Sequence, residues 1–116
     1  MTSTGKIGFR MSRALWCAYA GPVGNAGRSA DLCRYLEAKI ENPELSFPDT
    51  QDPGADHSVP HKIRVHPDIR KLYTHLFADN PGAMSSDIRT YIAWRIAHPD
   101  EPLPGRVRGP LKIERH

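Results

Sequence analysis

The sequence predicts a mainly α-helical fold carrying short β-strands, arranged as two strand–helix–turn–helix units in one chain. Three observations predict it. Residues 61–65, His61-Lys62-Ile63-Arg64-Val65, alternate apolar and basic as a strand with one buried and one charged face requires, and two helical patterns follow over 67–78 and 86–97 around the turn-like Asp79-Asn80-Pro81-Gly82. Residues 6–11 alternate likewise, with Ile7, Phe9 and Met11 on one side and Lys6, Gly8 and Arg10 on the other. Finally, the two halves match: Lys6-Ile7 and Lys62-Ile63 stand 56 positions apart, as do Ser29 and Ser85.

At that offset residues 29–43 lie over residues 85–99, and Ser, Asp, Tyr, Ile and Pro coincide, while Leu32 and Leu36 meet Ile88 and Ile92, and Lys39 meets Arg95. Chance gives about one identity in such a window, so a duplicated unit is expected. The first helices match less well. Leu15, Trp16 and Tyr19 align with Leu72, Tyr73 and Leu76 only at an offset of 57, and the turns Asn25-Ala26-Gly27 and Asn80-Pro81-Gly82 agree at 55.

The expected organisation is a first unit over 1–43, a linker over 44–60, a second unit over 61–99 and a basic, proline-rich tail over 100–116. In the first unit Ser12 is a good N-cap for a helix with Leu15, Trp16 and Tyr19 on one face, which should stop at Gly21-Pro22. Ser29 is expected to cap the next helix, whose Leu32, Cys33, Leu36 and Ile40 recur at helical spacing until Asn42-Pro43. The linker holds Pro48, Pro53, Gly54 and three aspartates and little that would enter a core. In the tail, Val107, Leu111 and Ile113 share a period-two face, which fits an added strand, while Pro104 and Pro110 fit a mobile basic arm.

Length and charge set the bounds. A chain of 116 residues is one compact unit or two very small ones, and two forty-residue pieces need to pack together to bury enough surface. A net charge of +3, from 16 Lys and Arg against 13 Asp and Glu, leans only weakly toward nucleic acid. Cys17 and Cys33 fit no metal spacing and read as reduced intracellular thiols. Residues 1–5 lack a basic region followed by an apolar run, and no segment approaches the ~18 apolar residues of a membrane helix, so a soluble, cytoplasmic protein without membrane contacts is expected.

Arg64-Val65, then Ile69, Leu72, Tyr73, Leu76 and Phe77, then Asn80, and then Met84-Ser85-Ser86-Asp87-Ile88 with Ile92 resemble the Arc/MetJ-type ribbon-helix-helix superfamily. The resemblance covers residues 61–97 well and 6–40 less well. In that superfamily two copies pair their strands into an antiparallel ribbon that enters the DNA major groove, so the resemblance implies a single-chain pseudo-dimer with an internal pseudo-two-fold axis. Two units in one chain are similar in plan to TraY-type relaxosome proteins and to the overdrive-binding protein of T-DNA transfer. The implied function is sequence-specific binding of double-stranded DNA, as a transcriptional repressor or a conjugation or DNA-transfer accessory factor alongside other protein components of such a complex. An alternative of another class is a protein-interaction module, antitoxin-like or a phage-encoded inhibitor, that keeps the scaffold without reading DNA.

Carried over position by position, the outward ribbon residues are Lys6 and Gly8 in the first unit and Lys62 and Arg64 in the second, with Thr4 and Pro60 at the edges. Arg64 is the best base reader, since a guanidinium grips guanine with two hydrogen bonds worth ~1–3 kcal/mol of discrimination. Gly8 offers no side chain, so two half-sites should be read unequally. The starts of the second helices, Ser29-Ala30 and Ser85-Ser86, are candidate phosphate contacts through their free N–H groups, although a capping role explains the serines as well. Arg106, Arg108 and Lys112 are candidate tail contacts.

The bland readings stand beside these. Alternating cations are most often the solvated face of a sheet, and Trp16, Tyr35, Tyr73, Tyr91 and Trp94 are better core than base-stacking platforms. Asp31 and Asp87 suit the first turn of a helix electrostatically and need no catalytic role. His57, His61, His66 and His75 contain no i, i+4 pair or partnered Cys, so neither a metal site nor a cofactor is expected. No nucleophile elbow, phosphate loop or paired carboxylate marks an enzyme.

Overall fold

The computed structural model describes residues 5–54 and 56–103. Strand β1 (Gly5–Ser12) leads into α1 (Arg13–Val23), a short 3-10 turn (Asn25–Gly27) and α2 (Arg28–Glu41). An irregular connection then reaches β2 (Ser58–Val65), followed by α3 (Pro67–Leu76) and α4 (Ala83–Ala97). The fold is thus mostly helical, with β1 and β2 paired as a two-stranded antiparallel ribbon.

The register places Ile7 opposite Ile63, the residue that the 56-position offset assigns to it, with Lys6 opposite Arg64 and Gly8 opposite Lys62. The pleat sends Ile7, Phe9, Met11, Ile63 and Val65 inward, all buried, against the helices. The strongest helix contacts run between the halves rather than within them: α1 packs on α4, α2 on α3, and α3 and α4 both cover β1. Interleaving gives the two halves of the chain one common core.

Beneath the ribbon lies a buried polar centre. Tyr19 of α1 and Tyr91 of α4 both donate to Asp31 Oδ2, the latter at 2.5 Å. Tyr73 of α3 donates to Asp87 Oδ2 at 2.6 Å, and Tyr35 of α2 donates to both oxygens of the same carboxylate at 2.8 and 2.9 Å. Tyr35 and Tyr91 stack face to face between the two carboxylates, 4.2 Å apart and 4° from parallel. Burial, with the adjoining carboxylates, pushes all four phenols well above their ordinary pKa and keeps them as donors. Each hydroxyl meets a charged acceptor, so the buried oxygens avoid the desolvation cost of an unpaired group.

The arrangement corrects the repeat alignment of the first helices. Tyr19 and Tyr73 do the same work on the two carboxylates, and the N-caps Ser12 and His66 also correspond, each accepting from a backbone amide in the turn that follows. These pairs are 54 positions apart rather than 57 because β1 extends to Ser12, whereas β2 ends at Val65 and Pro67 starts the helix at once.

Several boundaries also move. α1 continues through Pro22 and ends at Gly24, whose φ of 84° and N–H bond to Ala20 O (2.7 Å) close the helix. Pro22 forfeits one bond of the helix ladder, to Ala18 O, one residue before the helix ends. Ser29 is not an N-cap: α2 starts at Arg28 behind Gly27, and α4 starts at Ala83 behind Gly82, neither with a side-chain cap. At α4 the loop supplies the cap instead, since Ala83 N and Met84 N donate to Asn80 O and Pro81 O. α3 stops at Leu76, two residues short of the predicted end.

The largest departure concerns the connection. Leu45 and Phe47 are buried, at 4% and 6% exposure, and Phe47 packs on Trp94, Tyr35 and Tyr91 with ring centroids 4.9, 5.8 and 5.8 Å away. Lys39 Nζ holds the segment by donating to Leu45 O at 2.5 Å. Two apolar residues among prolines and acids carry no periodicity, which is why a linker pattern concealed a core segment. Residues 58–60, also assigned to the linker, belong to β2.

Candidate nucleic-acid interface

The pleat that buries the apolar side of the ribbon exposes Lys6, Gly8, Arg10, Pro60, Lys62 and Arg64 on the other. Cross-strand neighbours on this face are Lys6 with Arg64, Gly8 with Lys62, and Arg10 with Pro60. Neither strand contains an acidic residue, so the positive charge here has no counter-charge within the ribbon. The four predicted ribbon positions 6, 8, 62 and 64 are therefore brought together on one exposed surface. Arg10 shares it and was overlooked as a candidate, although its place in the alternation was the available signal. Its guanidinium folds back along the ribbon, donating from Nε to Ser58 Oγ (3.3 Å) and from Nη2 to Ser58 O (3.1 Å).

The ribbon's backbone is held from the sides. Arg70 Nε donates to Lys6 O at 3.0 Å, Arg89 Nη1 to Arg10 O at 3.0 Å, and Cys33 Sγ to Arg64 O at 3.6 Å. Arg10 N donates to Ser85 Oγ at 3.0 Å. These anchors join β1 to α3 and α4 and β2 to α2, and so fix the orientation of the exposed face relative to the helices.

Gly8 lies in ordinary extended backbone facing open space. A Cβ built there meets only His61 O at 3.7 Å and Lys62 Cγ at 3.8 Å, normal contact distances. Packing therefore does not require a glycine at this position. Gly5 is different: its Cβ would press on Pro67 Cα at 3.1 Å and Val65 O at 3.2 Å, so the start of α3 approaches β1 closely because the side chain is missing.

The two helix starts are not alike. At α2, Ser29 and Ala30 are exposed, and the preceding Arg28 covers the Trp16 ring, 4.7 Å from its centroid, while donating to Trp16 O at 3.1 Å. At α4, Ser85 accepts from Arg10, and Ser86 Oγ donates to Asp52 Oδ2 at 2.7 Å. Asp52 also binds Arg89 through both oxygens, to Nε at 2.8 Å and to Nη2 at 2.9 Å. Chiefly through that guanidinium, its carboxyl is held at about 2, and the carboxylate in turn raises Arg89. Sequence reasoning missed this pair because Asp52 sits in an aperiodic stretch and Arg89 lies on a helix whose apolar pattern accounts for its neighbours.

On the inner side of the ribbon, His61 stacks on Phe9 and lies tilted against Trp16, with centroids 5.8 and 5.0 Å away, and its buried Nε2 has no partner among the described residues. Burial foremost, then the charges of Arg13 and Arg28, lower its pKa and outweigh a backbone hydrogen bond with Met11, so the ring is neutral near pH 7.

Thr4 and the tail candidates Arg106, Arg108 and Lys112 lie outside the described residues. Among the described residues, no group of three or more His, Cys, Asp or Glu is placed to hold a metal ion, and no helix is long and apolar enough to cross a membrane. Comparison with family models, with curated proteins and with solved structures finds no match to this chain.

Proposed function

We propose that this chain is a sequence-specific double-stranded DNA-binding protein that reads the major groove with its β1–β2 ribbon. In this reading it is a single-chain pseudo-dimer of ribbon-helix-helix units, acting as a transcriptional repressor or a DNA-transfer accessory factor. The observation that carries the reading is the exposed ribbon face, with Lys6, Arg10, Lys62 and Arg64 and no acid in either strand. Two strands about 4.8 Å apart, with side chains, fit a major groove about 12 Å wide. Lysine and arginine there supply both phosphate attraction and hydrogen-bond donors for guanine edges. The pseudo-dimer is supported by the register, with Ile7 opposite Ile63, and by the matched Tyr–Asp centres.

The test is Lys62→Ala combined with Arg64→Ala, measured on a duplex selected from random sequence. Log affinity of the unaltered chain should fall with log salt at about −0.9 per phosphate contact, and the double variant should lose affinity and flatten that slope. Unchanged affinity and slope refute ribbon reading. A flat salt response in the unaltered chain, with a protein captured in its place, favours the interaction module.

A further inference from the structure

Arg89 is 8% exposed, and a guanidinium this enclosed requires an anion beside it, because a buried charge left alone costs several kcal/mol. The anion present is the chain's own Asp52. Arg89 grips it with two parallel hydrogen bonds of 2.8 and 2.9 Å, and Ser86 adds a third of 2.7 Å. This fork geometry suits the oxygens of a phosphate as well as those of a carboxylate. Asp52 is placed there by an irregular connection. Its Oδ1 also accepts from Gly54 N at 2.8 Å, in a turn that Gly54 permits with a φ of 92°. Its side chain is 28% exposed, so the pair lies at the surface of the fold rather than in its interior.

The position matters as much as the chemistry. Arg89 also donates to Arg10 O, and Ser85, one residue before Ser86, accepts from Arg10 N, so the anion adjoins the outer edge of β1 beside the basic face. The equivalent place on α2 has no such site: 56 positions earlier, Arg89 and Ser86 become Cys33 and Ala30.

We propose that Arg89 and Ser86 form a phosphate site that Asp52 fills in the free chain, and that a backbone phosphate of bound duplex displaces Asp52 from it. The identity of the incoming phosphate rests on the DNA-binding reading; the site itself does not. Asp52 then acts as an internal competitor that weakens binding on one flank of the ribbon only.

Asp52→Asn tests this on the full chain, because it removes the charge, keeps the shape of the side chain and leaves one acceptor oxygen, enough for Gly54 N or Ser86 Oγ but not for both. Asp49→Asn, an exposed acid of the same connection, controls for net charge. With inorganic phosphate as the probe, the Arg89 Nε–Hε and Ser86 amide resonances of Asp52→Asn should shift saturably, while those of the Asp49→Asn control should not. On selected duplex, Asp52→Asn should bind about fivefold tighter or more than the control, the low end of ordinary coupling between sites. Its salt slope should match that of the control, because the same phosphate is contacted in both complexes and only the competing carboxylate is removed. In the unaltered chain, saturation with duplex should move the Arg89 Nε–Hε and Asp52 carboxyl-carbon resonances together, a readout that survives even if the variant fails to fold. Absence of saturable phosphate shifts in a folded Asp52→Asn, or Arg89 and Asp52 resonances unmoved by saturating duplex, overturns the proposal. Phosphate saturation without binding of any duplex supports the site and refutes the DNA reading instead.

Discussion

Under the proposed ribbon reading of DNA, Gly8→Arg should give the β1 half of the ribbon the arginine that the β2 half carries as Arg64. The antiparallel register sets Lys6 against Arg64 and Gly8 against Lys62, and under the 56-position offset Gly8 is the counterpart of Arg64. A Cβ at position 8 meets nothing closer than 3.7 Å, so the new side chain enters open space. Replacing a strand glycine gains roughly 0.5–1 kcal/mol of backbone entropy, and the like charge of Lys62 directly opposite costs a similar amount, so thermal stability should barely change. Binding should change. One additional bidentate arginine contact is worth ~1–3 kcal/mol of discrimination, or roughly 5- to 150-fold between the correct base and a wrong one. Selection from random duplexes is the assay: the unaltered chain should recover two unequal half-sites, and Gly8→Arg should recover a more symmetric site in which the Arg64 half-site appears twice. If the variant keeps its fold and returns the same unequal half-sites with no gain in affinity, reading through positions 8 and 64 is refuted.

Two further predictions concern the fold that carries this face. Phe47→Ala should destabilise the chain by about 3 kcal/mol in chemical denaturation, the usual scale for emptying a buried phenylalanine site, whereas Leu72→Ala, at a residue 50% exposed, should cost well under half as much. Equal small losses would mean that the connection does not belong to the core. His61 should make stability depend on pH. Its folded pKa lies below the unfolded value of about 6.5, so its contribution is complete above that pH and is lost as the pH falls through the folded value. Denaturation midpoints should therefore decline from pH 7.5 to 5.5 in the unaltered chain and less so in His61→Phe, whose ring keeps the contacts with Phe9 and Trp16; identical declines would refute the assignment.

What was legible in the sequence was whatever has a period. The alternation at residues 6–11 and 61–65 located both strands and the face each exposes, and the helical spacing of Leu32, Leu36, Ile88 and Ile92 located the second helix of each half. Partnerships that local pattern does not encode were missed. Asp31 is the first-turn acid that its position suggests, but Asp87 lies beyond the first turn because α4 starts at Ala83, and each carboxylate is the acceptor for tyrosines from two different helices. Phe47 and Asp52 lie in a stretch whose composition reads as solvated, and only the tertiary fold shows that one fills the space beside Trp94 and the other neutralises Arg89. Ser29 and Ser85 were assigned by residue preference, which the backbone of the preceding turns overrode.

The two halves of the chain agree at the polar centre of the core. Asp31 with Asp87 and Tyr35 with Tyr91 hold the same offset, and each carboxylate takes one hydroxyl from its own half and one from the other. Splitting the halves would strip Asp31 and Asp87 each of a hydrogen bond from the other half and leave a stacked tyrosine without its partner ring, so this centre favours their packing together. Among the differences at this offset, Gly8 against Arg64, Cys33 against Arg89 and Ala30 against Ser86 lie on the ribbon or beside its edges, while Ala38 against Trp94 lies in the core. Two identical chains paired in this way would carry every change on both sides at once. In the pseudo-dimer proposed above, joining the halves in one chain removes that constraint, so a shared polar centre holds the ribbon while the residues at its two sides differ.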